Sequence, residues 1–241
     1  MQNENKYPEK PIVGILMLET YFTRIPGDIG NPKTFNFPVL YETITGATPK
    51  KVVIDADRSI IPKFIEGAKK LQKKGVKVLT TSCGFMAIFQ NELANSLEIP
   101  TFTSSLLQIP MISKMLGKEK TIGVITANPR TLSRRHFEAV GVTEDIEVAI
   151  DGFKEDHYFS KHLIGNNLKV EIEYTRNELV KIGKRLVDNN PNIGAIVLEC
   201  TNMPPYAKDL QNALNLPIFD IISLINMIYQ NYNKEYFAYE I

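Results

Sequence analysis

Two stretches of this chain repeat one another, and each carries one of its two cysteines. VLTTSCGFMAIFQNELANSLEIPTF closes the first half and AIVLECTNMPPYAKDLQNALNLPIF closes the second. Aligning Cys83 with Cys200 sets a constant offset of 117 residues. At that offset Met86 meets Met203, Leu93 meets Leu210, Asn95 meets Asn212, Pro100 meets Pro217 and Phe102 meets Phe219. Self-similarity at a fixed offset is the mark of a duplicated unit. The chain is therefore expected to fold as two related lobes, each ending in the same strand–Cys–helix–strand passage.

The pattern around the repeats defines the lobes. Pro11 to Leu18 reads as a buried strand, followed by a loop from Glu19 to Pro38 that exceeds the usual connection. Val52 to Ile54 reads as a short strand. Ile61, Phe64, Ile65, Ala68 and Leu71 recur at helical spacing, and Gly75 supplies a C-terminal cap. Val76–Thr80 reads as a strand, Ala87–Leu97 as a helix and Ile99–Thr103 as a strand. The order restarts with a strand at Thr121–Thr126 and a helix begun by Asn128-Pro129. Strands at Ile146–Ile150, Gly194–Leu198 and Pro217–Phe219 then alternate with helices at Glu178–Val187, Tyr206–Leu214 and Ser223–Tyr232. Alternation of this kind implies βαβ units and parallel sheets. The closing helix is expected to return to the first lobe. That gives a lobe of residues 1–105 plus 220–241 and a second lobe of residues 106–219.

The rest of the sequence excludes several classes. The net charge is +1, from 28 Lys and Arg against 27 Asp and Glu, which gives no electrostatic reason to expect nucleic acid or an anionic membrane. No apolar run approaches the ~20 residues of a membrane span. The polar opening MQNENKYPEKP does not have a signal-peptide pattern. A cytoplasmic protein with reduced thiols is expected, since two cysteines make no disulfide framework. A P-loop and a GxGxxG after the first strand are both missing, so the chain does not ask for a nucleotide.

Ligands of open parallel sheets bind beyond the carboxyl ends of the strands, where both cysteines lie. Two thiols facing one another across a cleft suit proton transfer on carbon. One thiolate removes an α-proton and the other thiol returns one to the opposite face. A free thiol pKa of about 8.5 puts both forms within reach. The start of each following helix favours the thiolate and offers N–H groups to a carboxylate. Ser82, Thr201 and Asn202 are donors beside the thiols. Glu199 either orients the site or assists proton transfer, and it serves equally well to hold a loop amide. Arg24 in the long loop suits bidentate carboxylate binding, against the plainer reading of a surface arginine. Gly27, Gly30 and Asn31 read as turn chemistry. His136 follows two arginines on a helix and reads as solvated. His157 and His162 flank Tyr158-Phe159 with no third ligand indicated, so packing is the preferred reading and no metal site is assigned.

These motifs resemble the aspartate/glutamate racemase superfamily, which includes hydantoin racemases, maleate isomerases and arylmalonate decarboxylases. The resemblance runs from PIVGILMLE through RIPGDIGNPKTFNFPV, TTSCGFM, TIGVITANPRTLSRRHF and LECTNMPPY to LPIFDIISLI, with the two Cys motifs its specific part. It implies an α/β fold of two pseudo-twofold-related, Rossmann-like lobes with parallel sheets and an interlobe active site. It also implies cofactor-independent catalysis by Cys83 and Cys200 as acid and base, a small carboxylate substrate such as an amino acid, and a homodimer. Thr201, Asn202, Gly84 and Phe85 would line the carboxylate site, joined by Thr126 and Thr131 from the second lobe. The chain departs from the family's Cys-Asn-Thr in its first motif, which here is Cys83-Gly84-Phe85. Asn202 stands where glutamate racemases carry His, and Glu19-Thr20 where they carry Asp-Ser. The reading that follows is an amino-acid racemase of the aspartate/glutamate type. The alternatives are a hydantoin racemase, a maleate-type cis–trans isomerase or a non-catalytic carboxylate sensor on the same scaffold.

Overall fold

The computed structural model describes residues 11–154, 157–165 and 171–234. The polar opening segment 1–10 lies outside the described residues. In the first lobe, strands β1 (Val13–Leu18), β2 (Val39–Ile44), β3 (Val78–Thr81) and β4 (Thr101–Phe102) form a parallel sheet in the order β2-β1-β3-β4. In the second, β5 (Thr121–Thr126), β6 (Val148–Gly152), β7 (Ile193–Leu198) and β8 (Ile218–Phe219) form another in the order β6-β5-β7-β8. The two sheets have one topology, and the duplication read from the cysteines extends to both.

Helices cover both faces, as parallel sheets require. They are α1 (Ile61–Lys73), α2 (Gln90–Asn95), α3 (Ile109–Leu116), α4 (Arg134–Ala139), α5 (Tyr158–Ile164), α6 (Ile172–Asn189), α7 (Ala207–Leu214) and α8 (Ile221–Tyr232). All six residues of β1 are buried, and so are the last five of β5. That explains their continuous apolar runs in place of alternation. Helix α8 opens with a capping box, Asp220 accepting from the Ser223 amide at 2.7 Å. Its Ile221, Leu224, Ile225 and Tyr229 pack in one core with Val13, Ile15, Met17 and Val78 of the first sheet. Burying such side chains is worth roughly 1.5–3 kcal/mol each, which fastens the C-terminal helix to the opening strand.

Three sequence expectations fail for identifiable reasons. Val52–Ile54 is not a strand but part of a π-helical turn, Lys50–Ile54, in which Val52 and Val53 are buried. A short apolar run does not distinguish the two by periodicity. The strand is instead β2, an edge strand of mostly half-buried residues whose Glu42 faces Lys70 and Lys74 of the neighbouring helical segment. Glu42 and Thr43 interrupt its apolar residues, and it follows directly on the long loop. The helix assigned to Asn128-Pro129 begins later, at Arg134, where Ser133 and His136 form the cap. His136 is therefore buried, not solvated, and its ring lies edge-on to Phe85 at 5.3 Å.

Candidate active site

Each sheet delivers its cysteine in the same way. After β3, Cys83 is extended (φ −150°, ψ 119°), and its carbonyl accepts the Met86 amide at 3.0 Å. After β7, the Cys200 carbonyl accepts the Met203 amide at 3.1 Å. The residue before each cysteine is pinned by the lobe's central strand. Ser82 donates its amide to Leu16 and accepts the Leu18 amide on its hydroxyl, both at 2.9 Å. Glu199 donates its amide to Ile125 at 2.9 Å and accepts the Thr126 hydroxyl at 2.7 Å.

The lobes interlock at this point. The Thr201 hydroxyl donates to the Ser82 carbonyl at 2.7 Å, and the Ser105 hydroxyl to the Leu198 carbonyl at 2.7 Å. Gly84 is required here: a Cβ would collide with both the carbonyl oxygen and the carboxyl of Glu199. The two cysteine turns are thus packed backbone against backbone.

Both thiols open onto one cleft between the lobes. Its polar lining includes Ser82, Glu199, Thr201 and Asn202, while Phe22, Phe85, Val53 and Leu163 make much of the wall apolar. The long loop after β1 forms the roof. There Arg24 donates to Asp28 at 2.7 Å and to Thr20 at 2.9 Å, and its guanidinium lies 4.6 Å from the Phe22 ring centre. Gly27 (φ +98°) lets this loop turn against Pro205, whose Cα a side chain would meet at 2.8 Å. Asn202 ties roof to floor, donating to Asp28 and accepting the Cys200 thiol at 3.6 Å.

Of the residues read from the sequence, Cys83, Cys200, Ser82, Gly84, Phe85, Arg24, Glu199, Thr201 and Asn202 line this cleft. Thr126 and Thr131 do not. Thr126 holds Glu199 from behind, and the Thr131 hydroxyl is buried without a hydrogen-bond partner. Sequence reasoning missed Phe22, Pro49, Val53, Ala127 and Leu163 in the lining, and Asp28 behind Arg24. Only the excessive length of the first loop signalled any of them.

Burial and charge set the chemistry. Glu199 is 1% exposed, and burial raises its carboxyl to about 7 against the pull of Thr126 and the Ala127 amide. One of its oxygens has no hydrogen-bond partner. Burial, then the Glu199 charge, push the Cys83 thiol up to about 12, opposed by the amides of Phe85 and Met86 and by Arg24. Cys200 is raised well above an ordinary thiol by the same two causes, opposed by the Asn202 amide. No group of three or more His, Cys, Asp or Glu among the described residues is placed to hold a metal ion.

Two parallel α/β lobes with a thiol from each in one cleft define an enzyme of the Asp/Glu racemase superfamily. The family model described as Asp/Glu/Hydantoin racemase matches residues 53–225, and the chain belongs to that family. It is similar to a dimethylsulfoniopropionate lyase from Durusdinium sp. clade D, 28% identical over 87% of this chain and 71% of that protein. It is also similar to dimethylsulfoniopropionate lyase 7 from Emiliania huxleyi strain CCMP1516, 30% identical over 90% of this chain and 66% of the relative. Among solved structures it shares its fold with glutamate racemase from Francisella tularensis subsp. tularensis in complex with D-glutamate. That match has a TM-score of 0.55 and 18% identity, covering 95% of this chain and 84% of the other. No helix among the described residues is long and apolar enough to cross a membrane.

Proposed function

We propose that the chain is a lyase that cleaves dimethylsulfoniopropionate, with Cys83 as the base. The observation that carries this reading is the pair of thiols opening onto one largely apolar interlobe cleft. The names of the sequence relatives support the choice of substrate. In the proposed step the Cys83 thiolate takes a proton from the carbon next to the substrate carboxylate. The electron pair of that C–H bond forms the C=C bond of acrylate. The C–S bond breaks, and its electron pair leaves with sulfur as neutral dimethyl sulfide. Cys83 then returns its proton to solvent.

Charge supports a sulfonium substrate. The resting thiols are pushed towards the neutral form by burial and by Glu199. A cationic sulfonium beside them favours the thiolate, whereas a bare anion opposes it. Arg24 is the cation of the cleft and suits the substrate carboxylate. Cys83 is the better base because two amides favour its thiolate, while Cys200 donates its proton to Asn202. Cys200 then acts as a neutral donor to charge building on the carboxylate. The reading keeps the enzyme cofactor-independent, and two free thiols are in keeping with a reducing, cytoplasmic compartment. A homodimer follows from the family resemblance alone.

One observation favours a second reading. An elimination needs one base, yet equivalent positions carry two thiols, the number a two-base amino-acid racemase uses. The test is headspace detection of dimethyl sulfide from purified protein and dimethylsulfoniopropionate, beside α-proton exchange on D- and L-amino acids. Dimethyl sulfide release that depends on Cys83 supports the lyase. Exchange on an amino acid with no dimethyl sulfide overturns it in favour of the racemase.

A further inference from the structure

Asp28 lies in the roof loop and is 3% exposed, and its two carboxylate oxygens have different partners. Oδ1 accepts the Arg24 guanidinium and the Gly30 amide, both at 2.7 Å. Oδ2 accepts the side-chain amide of Asn202, which follows two places after Cys200. The backbone keeps Asp28 over the Cys200 turn. The Thr34 hydroxyl donates to the Asp28 carbonyl at 2.6 Å, and the Ile29 amide donates to the Thr201 carbonyl at 3.4 Å. One oxygen thus closes the loop on itself, and the other reaches across to the second lobe.

The direction of the Asn202 amide follows from this. A side-chain amide has a donating end and an accepting end, and half a turn exchanges them. A carboxylate paired with arginine only accepts, so the NH2 group of Asn202 points at Asp28. Its oxygen is left facing Cys200, whose Sγ lies 3.6 Å away and donates to it. A thiol that donates to a carbonyl oxygen keeps its proton, because a thiolate there would face the negative end of the amide dipole. At the matching position after Cys83 stands Phe85, whose side chain offers no such acceptor.

We propose that Asp28 is a positioning residue: it orients Asn202 with the amide oxygen towards Cys200, and so holds that thiol protonated and leaves the base chemistry to Cys83. The assignment of base chemistry rests on the lyase reading above; the orientation of Asn202 and the protonation of Cys200 do not. The other ionisable groups acting on Cys200 are Glu199 and Cys83 of the two cysteine turns, while Arg24 pairs with Asp28 within the loop. An isosteric change reverses the device. In Asp28→Asn the new side chain keeps an oxygen for Arg24 and Gly30 but presents an NH2 group to Asn202. Asn202 then turns over, and its own NH2 group faces the Cys200 sulfur, where it favours the thiolate.

Alkylation by iodoacetamide, resolved by site with mass spectrometry at low conversion, reads the two thiols separately in the full chain. At about pH 8, Asp28→Asn is expected to speed alkylation of Cys200 roughly fivefold or more and to change Cys83 by less than about twofold. In an Asn202→Ala background the same substitution is expected to change the Cys200 rate by less than about twofold, since Asp28 acts through Asn202. An unchanged Cys200 rate overturns the proposal. So does a like acceleration of both thiols, which means a loosened roof. So does an undiminished effect in the Asn202→Ala background, which means a direct effect of charge. Proton–nitrogen NMR of the wild type gives a reading that does not depend on how Asp28→Asn folds. One side-chain NH of Asn202, identified by its loss in Asn202→Ala, is expected well downfield of exposed asparagine amides because it donates to a carboxylate. A shift like that of exposed amides overturns the orientation. Turnover separates this proposal from the lyase reading. The expected alkylation pattern without dimethyl sulfide release leaves the orientation standing and removes the lyase. Dimethyl sulfide release with an unchanged Cys200 rate does the reverse.

Discussion

In the first lobe the strand that delivers the thiol is followed by Ser82, whose hydroxyl accepts the Leu18 amide. In the second the matching position is Glu199, a buried carboxyl held by Thr126. The next position holds Cys83 in one lobe and Cys200 in the other. After it, the first lobe has Gly84, which makes room for Glu199, and the second has Thr201, which reaches across to Ser82. One further on, Phe85 is buried beside His136, while Asn202 bonds both Cys200 and Asp28. The duplication therefore preserves the backbone turn and diverges at the position before each thiol and the two after it. Two amides and Arg24 favour the Cys83 thiolate; Cys200 is the more buried and gives its proton to Asn202. A twofold backbone carrying unequal chemistry suits a reaction that needs one base rather than two.

Substituting the thiols tests that inequality most severely. On the lyase reading Cys83→Ser lowers turnover by about 10⁴-fold and Cys200→Ser by about 10²-fold, the span over which acid–base groups usually act. Steady-state rates of the two variants side by side check this, and equal losses would break the asymmetry.

Glu199 sharpens the contrast with Ser82 through pH. Its carboxyl has a folded pKa of about 7, above the ordinary value of 4.5. The folded state thus holds a proton that the unfolded state has lost. The stabilisation is fully present below about pH 4.5 and is lost as pH rises towards 7, on the order of 3 kcal/mol in all. Denaturant melts from pH 4.5 to 8 are expected to show this decline in the wild type and a flatter profile in Glu199→Gln. The same substitution removes the charge that raises both thiols, so the rise of kcat/KM with pH moves to lower pH.

Exchanging the small residue of the first motif is expected to cost less. Gly84→Ala drives a methyl group into the Glu199 backbone, and such overpacking destabilises by about 1–3 kcal/mol. The equivalent second-lobe change, Thr201→Val, removes a single interlobe hydrogen bond, worth about 1 kcal/mol. Thermal denaturation of both variants ranks them, and the reverse order would mean that the lobes meet less closely at Gly84 than at Thr201.

The same comparison shows what the sequence discloses. The thiol pair, the strands β1, β5 and β7 and the repeated topology are written in continuous apolar runs and in a fixed offset, both of them local signals. Strand β2 escaped because Glu42 and Thr43 interrupt its apolar residues, and the π-turn at Lys50–Ile54 because its valines imitate a strand. The burial of His136 was hidden by the two arginines before it, since which side of a short helix faces the core depends on a distant ring, Phe85. The roof of the cleft was the least legible part. Arg24 could be singled out, but its ties to Thr20 and Asp28 depend on the path of the irregular loop, and Asp28's tie to Asn202, 174 residues away, arises only when the lobes meet.

The central claim is that the thiol pair performs a one-base elimination. Proton NMR of the wild-type protein with dimethylsulfoniopropionate in D2O tests it most directly. The account predicts vinyl signals of acrylate growing in step with dimethyl sulfide, with no deuterium entering the unreacted substrate. Unchanged dimethylsulfoniopropionate, together with loss of the α-proton signal from an added amino acid, would contradict it.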